Sequence, residues 1–520
     1  MTSSDAIIIG GGHNGLVCAA LLAKSGRKVV VLEASDAFGG GARTEEFFPG
    51  FKVSSLAHVL NRMHPDVVQE LALDEHGFAV ASADAIPSIA LSTVRDPIVF
   101  AGAYGERLLG DVSDAERAGW AELRALLLRQ AGVLKPFLSK APPPLDGLSF
   151  GEASTLGLAA INLRRLGKEN MRDFLRMALM NVADVLDEFL ADDRLKGLLA
   201  FDAVLGAHLG PRSPTSLLGL HHRLCGEIGG EAGAQAVPVG GMGAVAEALE
   251  RSAEAAGCTL RRGAAVARIL VEKGRAVGVV LEGGEELRAT ALVSAINPRT
   301  TFLDLVGPRE LDTGFVRRVG AIRMQGDAAK LHLALDRPPG FIGVGGHDMR
   351  GRLVIAASVD HVERAFNPAK YGEFSPEPVM EVTLPSVADP ALAPDGACVL
   401  SAVVQYAPYA LKGGWEAGRP KFLEAILAAL EDHAPGLRGS ILHAELLTPT
   451  DIEARWRMPG GHWHHGELQI DQMLVNRPVH GADRYATPID GLYLCGAGSH
   501  PGGGVSGAPG LLAARRIMGR

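Results

Sequence analysis

Near the start of the chain a short apolar run, Ala6–Ile9, breaks into Gly10-Gly11-Gly12-His13-Asn14-Gly15 and resumes as the alanine- and leucine-rich stretch Leu16–Lys24. The isoleucine-rich run predicts a buried parallel strand, and the stretch after the glycines predicts a helix that Gly26 stops. Lys28–Leu32 repeats the strand pattern and ends at Glu33, which completes a βαβ unit in 33 residues. In Gly10-x-Gly12-x-x-Gly15 the first glycine permits a tight turn, and the second lets the backbone approach a pyrophosphate. The third lets the helix pack closely on the strand. The helix start, with His13 and Asn14, then offers free N–H donors and about half an elementary positive charge to phosphates. Glu33, followed by Ala34, stands 18 residues beyond Gly15. A carboxylate there accepts from a ribose hydroxyl and repels a 2′-phosphate, which disfavours NADP at this site.

The other end of the chain has the same character. Gly491-Leu492-Tyr493-Leu494-Cys495-Gly496-Ala497-Gly498 leads through His500-Pro501-Gly502-Gly503-Gly504-Val505 into another helical pattern. A strand, a glycine break and a helix at each terminus predict one dinucleotide held by both ends. The fingerprint alone leaves NAD and FAD open. A third glycine turn, Pro238–Gly243, precedes a helix at Ala244–Ala256 and strands at Ala265–Leu270, Ala276–Leu281 and Glu286–Ala295. The order predicts an α/β fold (α+β overall) with a discontinuous Rossmann-like nucleotide-binding domain over 1–55, 236–300 and 485–520. Between its pieces we expect a mostly helical cap region, 56–235, interrupted by prolines such as Pro142-Pro143-Pro144. We also expect a substrate-binding region of mixed sheet and helices, 301–484, with strands at Ala328–Leu335, Val379–Leu384 and Ala397–Val404 and a helix at Lys421–His433. The clearest cap helix is Met171–Leu190, whose apolar residues recur every three and four positions. That stripe suits a core face, a substrate-tunnel wall or a membrane-touching face.

Composition removes several function classes. Lys and Arg number 51 against 59 Asp and Glu, giving a net charge of −8 with no basic run, which disfavours nucleic acid as a partner. The five cysteines are scattered without a CxxC or a Cys/His metal spacing, so neither a disulfide framework nor a structural metal site is expected, and the compartment is read as reducing. Met1–Asp5 is a short polar lead without the pattern of a signal peptide, and no apolar stretch is long enough for a membrane span. A cytoplasmic protein is expected, with peripheral membrane contact open.

The chain resembles the phytoene-desaturase-like branch of the FAD-dependent amine-oxidase-type oxidoreductases. Within that branch it looks like the group called pyridine nucleotide-disulphide oxidoreductase domain-containing protein 2. The resemblance is carried by Val31-Leu32-Glu33, Gly39-Gly40, Thr44-Glu45-Glu46, Pro49–Lys52, Gly240–Gly243, Gly460-Gly461, His465-Gly466, Asp471-Gln472, Arg477-Pro478 and Gly491–Gly507, which span the whole chain. It implies one FAD, with Glu33 on the adenosine ribose, Gly39, Gly40 and Arg43 along the pyrophosphate, and Val266 contacting adenine through its backbone. Gly496, Gly504 and Val505 would lie at the flavin end, a helix start at Gly504-Val505 facing the pyrimidine. Gly41 stands where an arginine often follows the glycine pair in amine oxidases, and Arg43 comes two residues later.

Gly461-His462-Trp463-His464-His465-Gly466-Glu467 is the chemically richest stretch. Its histidines could bind metal, form a hydrogen-bonded wall of the flavin pocket or supply a general base. No metal is expected, and His465 is the candidate catalytic residue because it matches the family position. Three functions compete. The first is a dehydrogenase or oxidase that takes a hydride from a small, largely apolar substrate and passes electrons to oxygen or a quinone. The second is a desaturase, ketolase or isomerase acting on a polyene, with a tunnel along Met171–Leu190. The third is a flavin-holding interaction protein without catalysis.

Overall fold

The computed structural model describes residues 4–82, 84–143, 157, 161 and 163–519. Met1–Ser3 and Pro144 lie outside the described residues. The N-terminal unit is strand β1 (Ser4–Ile9), helix α1 (His13–Lys24) and strand β2 (Val29–Leu32), followed by the hairpin β3 (Thr44–Phe48) and β4 (Phe51–Ser54). Next come β5 (Ser88–Ala90), β6 (Ile98–Ala101) and β7 (Arg107–Leu109), then the long helix α2 (Asp114–Leu138). A helical stretch holds α3 (Gly167–Met177), α4 (Val182–Phe189), α5 (Asp193–Val204) and α6 (Leu217–Leu224). After α7 (Met242–Ala255) run β8 (Thr259–Arg261), β9 (Val266–Glu272), β10 (Arg275–Leu281) and β11 (Glu286–Ser294). The chain continues through β12 (Ala328–Leu335), β13 (Arg352–Ile355), β14 (Val379–Thr383), β15 (Cys398–Gln405), α8 (Trp415–His433) and β16 (Ile441–Leu447). It ends with β17 (Leu492–Leu494) and α9 (Ala508–Met518).

Two sheets organise these elements. The first has the order β8-β2-β1-β11-β10-β9, and β17 pairs with the end of β11. Its β8-β2-β1-β11 and β11-β17 pairings are parallel, whereas β9-β10-β11 is an antiparallel meander. Strands from residues 4–32, 259–294 and 492–494 therefore share one sheet. Helix α1 lies between that sheet and helices α7 and α9, and Asn14 to Ala23 are all buried. A helix that is apolar on every side is the form such a position demands. Close approach to α9 is possible because Gly510 has no side chain, since a Cβ there would stand 2.2 Å from the Asn14 carbonyl oxygen.

The second sheet runs β16-β12-β15-β14-β13-β5-β6-β7, antiparallel except where β13 meets β5. Three of its strands come from residues 88–109, inside the region expected to be mostly helical. Strands of three or four residues carry too little periodicity to announce themselves in sequence. The helix expected over Met171–Leu190 is two helices, α3 and α4. Asn181 ends the run because its side chain accepts from the Asp184 N–H and caps α4. The glycine turn before α7 serves packing, as a Cβ on Gly243 would stand 2.6 Å from the Thr44 nitrogen. Thr44 Oγ1 accepts from the Gly243 N–H at 2.9 Å and donates to the Gly240 carbonyl at 3.0 Å.

Candidate functional site

A cavity of about 920 Å³ runs from the carboxyl ends of β1 and β2 to the inner face of the second sheet. Sites in open α/β folds sit outside the carboxyl ends of parallel strands, where the connections part. The structure brings to its wall Gly10, Gly12, His13, Asn14, Gly15, Glu33, Ala34, Gly39, Gly40, Arg43, Val266, His465, Gly504 and Val505. One expected residue is not among them. Gly496 is buried where the strand end approaches β11, since a Cβ there would meet the Ala295 carbonyl oxygen at 2.4 Å.

The first glycine loop is shaped by contacts that leave Gly12 free. A Cβ on Gly15 would stand 2.2 Å from the Gly10 carbonyl oxygen, and one on Gly11 would meet the Phe38 ring at 2.1 Å. At Gly12 an added Cβ meets nothing within 4 Å, so this position borders open space and not packed protein. Gly12 is the N-cap of α1 and supplies no side chain to the free amides of the first turn. The Asn14 Oδ1 atom is buried without a hydrogen-bond partner. Glu33 accepts from the Gly11 N–H at 2.7 Å and from the Ser35 N–H and Oγ–H, both at 2.9 Å. Its carboxylate therefore braces the loop as well as facing the cavity. Arg43 is buried and pairs with Glu45 at 3.0 Å. A register break between Val266 and Arg268 bulges β9 at the cavity wall, where Val266 and Ala267 both reach it.

The two chain ends meet directly, as His13 Nε2 lies 3.2 Å from the Gly504 carbonyl oxygen. Burial pushes the His13 imidazole down to about 4, so it is neutral at pH 7 and donates this bond through Nε2. The terminal helix begins at Ala508, later than the Gly504-Val505 start expected from sequence. Gly507, with φ of +69°, is its N-cap and Pro509 sits in the first turn, which together set the start. Gly504 and Val505 lie in the preceding loop.

The histidine stretch forms another part of the wall through His464 and His465. Burial and the charge of Arg477 push His465 down to about 4 and His462 down to about 3. The Nδ1 atoms of His464 and His465 are buried without hydrogen-bond partners among the described residues. Among the described residues no group of three or more His, Cys, Asp or Glu is arranged to hold a metal ion. The loop is fixed by Arg477, a fully buried side chain that donates to the carbonyls of His464, Gly466, Glu467, Gln472 and Ala497 at 2.6–3.2 Å.

The far end of the cavity was not foreseen. Arg352 on β13 donates through Nη1 and Nη2 to both Asp202 oxygens and through Nη1 to Glu381 at 2.7 Å. Glu381 on β14 accepts from His58 at 3.0 Å, and His58 Nδ1 in turn accepts from Lys330 on β12. Burial alone would raise the Glu381 carboxyl, but Arg352 and His58 overcome it and hold the group well below the usual carboxylate range. Burial pushes Lys330 down to about 7 against the pull of Glu381. His58 falls to about 4 through burial and the Lys330 charge, so its neutral ring relays one hydrogen bond inward and one outward. Arg223 on α6 lies 3.5 Å from Asp202, and Arg62 donates to the His222 carbonyl at 2.6 Å. These residues are far apart in sequence, but a signal existed. Charged residues such as Lys330 and Arg352 within apolar strand patterns are seldom buried without a partner or a task. None of residues 171–190 reaches the cavity wall, so the tunnel expected along that stretch is not formed. No helix among the described residues is long and apolar enough to cross a membrane.

A family model described as flavin containing amine oxidoreductase matches residues 15–518. The chain is 34% identical over 540 residues to the rat (Rattus norvegicus) pyridine nucleotide-disulfide oxidoreductase domain-containing protein 2, covering 99% of this chain and 93% of that one. It is 28% identical over 340 residues to a neurosporene-forming phytoene desaturase of Cereibacter sphaeroides, covering 63% and 60%. Among solved structures, an oxidoreductase from Methanosarcina mazei superposes with a TM-score of 0.62 at 18% identity, covering 99% of this chain and 100% of that one. That likeness carries the fold.

Proposed function

The chain belongs to the flavin-containing amine oxidoreductase family, and on that premise we propose that it is an FAD-dependent dehydrogenase or oxidase of a small organic molecule. The carrying observation is the continuity of one cavity from Gly12 and Glu33, past His465 and Gly504, to the charged end at Arg223 and Arg352. Its volume of about 920 Å³ suits a buried ligand. The residues fit the cofactor. Gly12 leaves room beside the free amides of α1, and the Asn14 Oδ1 atom awaits a donor. Glu33 reaches the cavity where a ribose would lie, and the bulged backbone at Val266 and Ala267 offers adenine its polar edge. Gly39, Gly40 and Arg43 would flank the pyrophosphate, while Gly504 and Val505 would hold the flavin end.

FAD, when bound, supplies a two-electron acceptor for a substrate hydride, with oxygen or a quinone as the final oxidant. The protein's own part is to position and to exclude water. Arg477 holds the His464–Gly466 backbone rigid, so His465 presents a neutral imidazole to the reacting end of the cavity. In this reading His465 is the catalytic residue. It accepts a hydrogen bond, and then a proton, from the substrate heteroatom as the hydride departs.

The test is anaerobic mixing of yellow, FAD-loaded protein with candidate alcohols, amines and hydroxy acids while following loss of flavin absorbance. His465→Asn is expected to slow that bleaching by about 100-fold or more if proton transfer is catalysed there. Protein that stays colourless with added FAD contradicts the cofactor assignment. A His465→Asn variant that bleaches at the wild-type rate removes His465 from the chemistry.

A further inference from the structure

Arg223 is the one arginine at the charged end of the cavity that the surrounding network leaves over. Its side chain is 8% exposed, yet its Nε and Nη2 are buried without a hydrogen-bond partner among the described residues. Its Nε lies 3.5 Å from Asp202 Oδ2 and its guanidinium carbon stands 5.9 Å from the centre of the Tyr104 ring. Asp202 cannot serve it better. Both Asp202 oxygens already accept from Arg352, and Oδ2 also accepts from the Tyr104 hydroxyl at 3.2 Å. A guanidinium carries five N–H donors and no acceptor, and burying them unmatched is costly.

A second spare donor stands nearby. Gln235, 4% exposed and also on the cavity wall, accepts at Oε1 from Ser88 Oγ at 3.4 Å, and among the described residues its amide N–H groups donate no hydrogen bond. Ser88 is the hydroxyl that Arg352 holds at 3.1 Å, so Gln235 and Arg223 flank the same Arg352–Asp202 pair. The cavity wall also carries apolar side chains, among them Ala203, Leu205, Leu209 and Val403.

We propose that Arg223, assisted by Gln235, is the anchor for an oxyanion on the substrate, and that the substrate is a small molecule with an apolar body and a terminal carboxylate or phosphate. Only the statement that this anion belongs to the substrate rests on the hydride-transfer reading above. The donor set explains the choice of chemistry. An oxyanion has enough lone pairs to take several N–H groups at once, giving Arg223 the charge-assisted hydrogen bonds that the 3.5 Å spacing to Asp202 does not. A neutral amide or alcohol of the same shape offers fewer lone pairs and would leave more of those N–H groups unmatched. The anchor also sets direction, because it holds the charged end away from His465 and leaves the apolar body across the reacting end.

The test uses three ligands with comparable alkyl bodies, hexanoate, hexyl phosphate and hexanamide, titrated into the FAD-loaded protein. Binding is read by the change in flavin absorbance and, independently of the flavin, by the thermal unfolding midpoint. At least one oxyanion is expected to saturate and raise the midpoint, with hexanamide at least tenfold weaker. The oxyanion that binds better identifies whether carboxylate or phosphate is the natural group. Arg223→Met should weaken the oxyanion by roughly 10- to 100-fold, the loss of one charge-assisted contact, and Arg223→Lys should recover part of it. The proposal is overturned if hexanamide binds as well as both oxyanions, if none of the three binds, or if Arg223→Met binds like wild type. The wild-type comparison stands even where a variant fails to fold. A protein without FAD would contradict the flavoenzyme reading, while the thermal shift would still report on the anchor.

Discussion

Replacing Lys330 with methionine isolates the cost of an ammonium group sealed inside the second sheet. Lys330 is fully buried on β12, and its Nζ donates to His58 Nδ1. Burial lowers it from its ordinary value of 10.5 to about 7, with Glu381 pulling weakly the other way. The unfolded chain therefore holds this proton more tightly than the fold does. Between the two values the unfolded state binds more protons, so stability rises with pH across that window and is flat below it. The penalty from this one group is roughly 4 kcal/mol near pH 7 and roughly 1 kcal/mol near pH 10, at about 1.36 kcal/mol per pH unit. Lys330→Met removes the penalty and its pH dependence, while the lost hydrogen bond to His58 adds a constant. For a chain of this length about 1 kcal/mol moves the unfolding midpoint by roughly 1 °C. The midpoint of wild type minus that of the variant should therefore climb by about 3 °C between pH 7 and pH 10. Differential scanning fluorimetry on both proteins across that range provides the measurement, and subtracting the two cancels the titrating groups that Lys330 does not influence. A difference that stays level over the range would refute the claim that Lys330 is buried with its proton loosened.

Three further outcomes follow from the site. Gly12→Val should lose FAD yet keep its apo fold, because an ordinary φ of −68° and open space at Cβ allow the side chain but place it where the cofactor passes. FAD content and the circular-dichroism melt check the two halves, and normal FAD stoichiometry would contradict the loop's role. Glu33→Ala should weaken FAD by about 1.5–3 kcal/mol, roughly 10- to 100-fold in Kd, for the lost charge-assisted contact. The freed Gly11 N–H should add to that loss, as read by quenching of flavin fluorescence. Arg477→Met should lower stability by several kcal/mol, since five carbonyls lose a buried donor. A denaturant midpoint equal to wild type would show that water replaces the guanidinium.

The parts of the fold legible in sequence are those whose cause is local. Ala6–Ile9, the three spaced glycines and Glu33 lie within 33 residues, and each is a direct statement about backbone approach or helix start. The meander from Val266 to Ser294 is legible for the same reason, as β-branched runs separated by short turns. Two boundaries failed where a local competitor outweighed periodicity. The apolar stripe continues across residues 178–181, but the Asn181 side chain offers Asp184 a better partner than another turn of helix would. At the C-terminus Gly507 and Pro509 delay the helix past Gly504. The charged end of the cavity was illegible because its members, from His58 to Glu381, come from five separate elements and the loop after β4, and no spacing links them. Only their residue types in apolar strands hinted at it.

That charged end changes what the cavity selects. Buried ion pairs contribute little net stability, because desolvating both partners offsets most of their attraction. A structure needing only a filled core would be served as well by apolar side chains at Asp202, Arg352 and Glu381. The charges instead fix the direction of every donor around them. Arg352 occupies both Asp202 oxygens, so Asp202 cannot rotate to satisfy Arg223, and Ser88 ties the same Arg352 to Gln235. The network thus leaves both side chains with unused donors beside a wall that also carries apolar residues. Preorganised donors of this kind spend no reorganisation energy when an acceptor arrives. A ligand that is apolar throughout would strand them. Under the anchor proposed for Arg223, the largely apolar substrate expected from the sequence becomes an apolar body that ends in an acceptor.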